Sequence, residues 1–106
     1  MKKLLLPLLI AAGVSCQPAH AEEMTTMQTV ERICVLESET AGDVMGIRQL
    51  GVPIGKVLAI SEEQNYKATV YAAYSMERYN TEQYQQNSIR EFSNAMFFHC
   101  LNRYKE

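Results

Sequence analysis

The chain has no tryptophan, three prolines, five glycines and three cysteines in 106 residues, and several common signatures are missing. No apolar run approaches the roughly 20 residues a membrane-spanning helix needs, which excludes a span. No basic run occurs, and the formal charge is −2, so nucleic acid phosphates find nothing to bind. There is no Gly-x-Gly-x-x-Gly, P-loop or Gly-x-Ser-x-Gly, hence no sequence sign of a phosphate cradle or a nucleophile elbow. Internal repeats, low-complexity blocks and linkers are lacking too, which leaves room for one domain only.

What is present begins with an address. Lys2 and Lys3 precede an apolar run from Leu4 to Val14, the length of a signal-peptide core. Ala19-His20-Ala21 then fits the small-x-small pattern cut by signal peptidase, with Pro18 just ahead to interrupt the core helix. Cleavage after Ala21 is expected, giving a mature domain over residues 22–106 and a periplasmic destination. Val14-Ser15-Cys16 offers an alternative, a lipoprotein box with Gly13 where such boxes carry leucine. Acylation of Cys16 would anchor the protein to a membrane, each buried methylene contributing about 0.8 kcal/mol.

Either route leaves two thiols, Cys34 and Cys100. In an oxidising compartment an even number of cysteines in so short a chain reads as a disulfide, and two cysteines allow one pairing. The mature domain carries a formal charge of −4 once Lys2 and Lys3 are gone. A chain of this size buries only about 60% of its unfolded surface. A bond closing a loop of about 67 residues, with roughly 4 kcal/mol of chain-entropy stabilisation, is therefore a large part of its stability.

The mature chain reads as all-α. Thr25 with Gln28 forms a capping box, and Val30, Ile33, Cys34, Ala41, Val44, Met45 and Ile47 recur at helical spacing, predicting a first helix over 26–50. Gly51 and Pro53 stop it; Gly42 and Gly46 mark a bend or a close helix crossing. Ile54, Val57 and Leu58 suggest a short second helix. Ser61 with Gln64 caps a third, expected from Glu62 to about Tyr79. Asn80 or Thr81 caps a fourth, from Glu82 to about Arg103. Its wide apolar stripe, including Phe92, Met96, Phe97, Phe98 and Leu101, predicts a central, well-covered element. Joining Cys34 to Cys100 requires the first and fourth helices to lie side by side, most easily antiparallel. The expected architecture is a compact bundle of three long helices and one short helix, stapled by Cys34–Cys100.

A cysteine in the first helix, "RQLGVP" at Arg48 to Pro53, a tyrosine-rich segment and Phe92 with Cys100 eight residues on together resemble a group of short exported proteobacterial proteins, some phage-associated, with no established activity. The resemblance implies a secreted, disulfide-bearing helical fold and transfers no catalytic residue. In its size, signal peptide, single disulfide and helical content the chain is also similar to small periplasmic acid-stress chaperones. For a chaperone of that type, protonating 12 carboxylates would leave eight Lys/Arg and one mature His uncompensated, loosening the fold by self-repulsion.

Groups that could carry chemistry are few. His99 and Cys100 are adjacent, but neighbours on a helix point about 100° apart, and a cysteine in a disulfide offers no thiolate. Two thiols and one imidazole do not fill a tetrahedral metal site. Glu37 with Glu39 reads as solvated, and Glu62 with Glu63 as first-turn acids at a helix N-terminus. No catalytic residue, metal or cofactor is assigned.

Six tyrosines remain the most unusual feature. Tyr71, Tyr74, Tyr79 and Tyr84 gather around the junction of the third and fourth helices, with Arg78 and Arg90 near. Tyrosine and arginine suit protein interfaces because large contact area comes with a polar tip, although the same rings can simply roof a small core. Arg48 and Gln49 beside the "RQLGVP" turn read chiefly as part of a helix stop, and alternatively as contact residues. The expected function is a non-enzymatic envelope interaction module, such as a chaperone, inhibitor or accessory with a protein partner. The alternatives are a small-ligand carrier, which needs a cavity lined by Met96, Phe92 and Val70, or a small hydrolase.

Overall fold

The structure is a computed structural model describing residues 2–105, with side chains described from Thr26 onward. The backbone is helical through Pro18 and Thr25, so the break expected at Pro18 and the helix start expected at residue 26 are corrected; the cleavage after Ala21 and the lipid anchor at Cys16 concern residues whose side chains lie outside the description. Four helices follow in order, α1 (Lys2–Leu50), α2 (Ile54–Leu58), α3 (Gln64–Tyr74) and α4 (Glu82–Lys105), and no strand occurs among the described residues. The chain divides into two units, Met1–Arg32 and Ile33–Glu106. The first is helical; within it Met27 is exposed and Val30 half-buried. The second contains the bundle described below, and its first buried residue is Cys34.

The bundle core consists of Ala41, Val44 and Met45 of α1, Val57 of α2, Val70 and Ala73 of α3, and Phe92 of α4. Cys34, Ala41, Val44, Met45 and Gln49 are all buried. Their three- and four-residue steps place them on one face of α1. Each fully buried Val, Met or Phe contributes about 1.5–3 kcal/mol of transfer free energy. Three of the seven core residues come from α1, whereas α4 buries only Ser88, Phe92 and Cys100.

The expectation of a central α4 is therefore corrected: α1 has that role. Met96, Phe97 and Phe98 point in three directions at about 100° per residue. Only one direction can face α1, and Phe98 is left 62% exposed.

Helices α1 and α4 run antiparallel. Cys34 is joined to Cys100, with Cα atoms 5.5 Å apart; the Ser93 hydroxyl donates to the Ser38 carbonyl at 2.8 Å; Gly42 faces Ser93 and Ile89, and Gly46 faces Ile89. A Cβ at Gly42 would meet Ser93 and Ile89 at 3.6–3.7 Å. The two glycines thus mark a close helix crossing, one of the two readings their positions allowed.

The boundaries follow local chemistry. Gly51 takes φ +89°, and the Gly51 and Val52 amides donate to the carbonyls of Arg48 and Ile47, the paired bonds of a Schellman cap. The α3 cap is Glu63, whose carboxylate accepts from the Tyr66 amide at 2.8 Å. Ser61 instead accepts from the Glu63 amide, so α3 starts two residues later than expected. Thr81 caps α4, accepting from the Tyr84 amide at 3.3 Å. Helix α3 stops at Tyr74 rather than near Tyr79, because side chains from the end of α1 bind the backbone groups beyond it.

Candidate interaction site at the connection between α3 and α4

Residues 75–81 have no regular structure and are held in place from α1. Arg48 donates from Nε and Nη2 to the Met76 carbonyl at 3.3 and 3.0 Å, with its guanidinium carbon 5.2 Å from the centroid of the Tyr74 ring. Gln49 is 2% exposed. Its Nε2 donates to the Glu77 carbonyl at 2.9 Å and contacts Met45 Sδ, and its Oε1 accepts from the Tyr79 amide at 2.8 Å. Arg78 donates back from Nε to the Gln49 carbonyl at 3.0 Å, and Gln85 Nε2 donates to the Tyr79 carbonyl at 2.8 Å. A connection that would otherwise expose its polar backbone has partners for Met76 O, Glu77 O, Tyr79 N–H and Tyr79 O.

Tyr74 extends the same clamp on the opposite side of the turn. Its hydroxyl donates to the Val52 carbonyl at 2.6 Å, while the Tyr66 hydroxyl donates to the Val57 carbonyl at 2.8 Å. Burial pushes both phenols above their ordinary pKa, and the Arg48 charge partly offsets this at Tyr74. Gly51 lies under Arg78; a Cβ there would stand 3.0–3.3 Å from the guanidinium. That contact could yield, since the guanidinium ends a flexible side chain, but the positive φ requires glycine in any case.

Of the residues singled out in the sequence, Arg48, Gln49, Tyr74, Arg78 and Tyr79 are brought into this network. Gln49 is enclosed and saturated with partners, so its reading as an exposed contact residue is corrected. It is the internal peg of the connection. Tyr84 packs on Tyr79 with ring centroids 5.9 Å apart and planes at 49°. Tyr71 is exposed on α3 and takes no part in the network.

Outside the clamp lies an open cleft of about 570 Å³, bounded by Met76, Tyr79, Tyr84, Glu91 and Ala95 over Phe92. Tyr84 is 58% and Met76 46% exposed. Sequence reasoning missed Met76, Gln85 and Glu91. Met76 falls inside the span expected for the third helix, Glu62 to about Tyr79, and nothing in the local pattern at Gln85 or Glu91 tells a cleft residue from a solvated one.

The other chemical candidates take structural places. Glu37 pairs with Arg103 at 2.7 Å, half-buried rather than solvated, and Arg103 also contacts Cys100 Sγ. Glu62 pairs with Lys67 at 2.9 Å, and that contact holds its carboxyl below the usual value. His99 is exposed, next to a cysteine engaged in the disulfide. No group of three or more His, Cys, Asp or Glu side chains converges among the described residues. Val70, Phe92 and Met96 pack into or against one core, filling the space a ligand carrier would have kept open.

No family model, curated protein or solved structure matches the chain. Among the described residues, no helix is long and apolar enough to cross a membrane.

Proposed function

We propose that the chain is an exported, non-enzymatic interaction module that grips a protein partner through the Tyr79–Tyr84 cleft. One observation carries this reading: a connection without helical bonding of its own is fixed by Arg48, Gln49 and Gln85, so that Tyr79 lies against an exposed Tyr84 beside an exposed Met76. Fixing a loop before binding removes the ordering cost that a flexible loop would incur on association. Exposed tyrosine and methionine then supply contact area with a polar tip and an adaptable thioether. Export rests on the N-terminal sequence pattern, and a buried disulfide is compatible with it.

The test is quantitative retention of envelope proteins on immobilised wild-type chain and on a Tyr84→Ser, Met76→Ser variant. Both side chains are outside the core, so the variant is expected to keep its thermal midpoint within a few degrees while losing the retained partner. Equal retention by both would refute the cleft as the contact surface.

A further inference from the structure

On the other flank of α4, a second groove of about 740 Å³ runs between α1 and α4. Its base is the glycine crossing at Gly42 and Gly46. Leu50, on its rim, is 75% exposed, more than any other large apolar side chain among the described residues. The walls differ in charge. On α1, Glu39 and Asp43 stand one turn apart, a like-charged i,i+4 pair that disfavours its own helix, with no cation against either among the described residues. On α4, Arg90 donates to Asn87 and meets no carboxylate among the described residues. Because Gly42 faces Ser93 and Ile89 and Gly46 faces Ile89, Asp43 and Arg90 stand at nearly the same height on opposite walls.

Two copies of this face can meet around a two-fold axis in only two simple ways. An axis perpendicular to the helices lays α1 on α1 and sets acids against acids. An axis parallel to them lays α1 on α4, keeps the heights matched and brings each Asp43 to the other copy's Arg90. The second arrangement also covers Leu50.

We infer that this face is a homodimer interface, with the two-fold axis along α1 and α4 and reciprocal Asp43–Arg90 pairs. The tyrosine cleft on the opposite flank stays open in the dimer.

Sedimentation of the purified, oxidised protein at low salt tests this. A dimer is expected; Asp43→Arg or Arg90→Asp alone should weaken it roughly tenfold or more. Mixing the two single variants should restore it: the arginine introduced in one chain then meets the aspartate introduced in the other, and the remaining native Asp43 meets the remaining native Arg90. The same helical signal by circular dichroism in all samples shows that folding is unchanged. A wild-type monomer up to millimolar concentration, a dimer indifferent to either reversal, or failure of the mixture to associate would each overturn the interface.

Discussion

At one end of the α1–α4 pair, Cys34 and Cys100 are covalently joined, with the Glu37–Arg103 ion pair beside them. At the other, about 22 Å along α1 at 1.5 Å per residue, Arg48, Gln49, Arg78 and Tyr74 hold the turn and the α3–α4 connection without a covalent link, by hydrogen bonds and the Arg48–Tyr74 ring contact. The covalent end acts mainly by limiting the unfolded chain and specifies little about nearby side chains. The hydrogen-bonded end does the reverse: each bond adds about 1 kcal/mol net, but together they fix individual backbone groups. The surface with unusual chemistry, the tyrosine cleft, is built on the second end.

The largest effect should come from the covalent end. Replacing both cysteines, Cys34→Ala with Cys100→Ala, is expected to remove roughly 4 kcal/mol in the chain-entropy model, seen as a large drop in the denaturant midpoint. A loss below about 1 kcal/mol would mean that the bond adds little to the packing it joins.

Next is Gln49→Leu, which keeps the volume but deprives Glu77 O and Tyr79 N–H of their partner, at a cost of about 2–3 kcal/mol. Its signature is local. Amide exchange at Tyr79 should accelerate more than at Cys34 or Cys100; uniform acceleration would mean that the two ends are not separately held.

The smallest concerns pH. Tyr66 and Tyr74 have phenol pKa values raised by burial, so their contribution is fully present below the ordinary value near 10 and is lost as pH rises through the raised folded values. Alkaline titration of stability should therefore fall above about pH 10. Tyr74→Phe should flatten that fall while costing about 1 kcal/mol at neutral pH through the lost bond to Val52. An unchanged alkaline slope in Tyr74→Phe would remove the clamp role from that hydroxyl.

Much of the scaffold was legible in order. Helical spacing from Val30 to Ile47, the Gly51 stop, the Thr81 cap and the side-by-side placement that a Cys34–Cys100 bond requires, most easily antiparallel, correspond to observed elements and contacts. The end of α3 was not. Tyr74 through Tyr79 lack a glycine or proline to stop a helix, and the competing partners lie about 30 residues away in sequence on α1. The rank of the helices was also hidden: a wide apolar stripe on α4 shows which residues favour burial, not how many neighbours exist to bury them.

By itself, then, the sequence determined the all-helical class and the turn at Gly51, because periodicity and left-handed backbone preference are local properties of the chain. Only the tertiary structure decided that Gln49 is an internal peg, that α1 rather than α4 is central, and that Tyr79, Tyr84 and Met76 share a cleft. Those outcomes depend on which distant backbone groups compete for the same donors, and that competition exists only once the helices have packed.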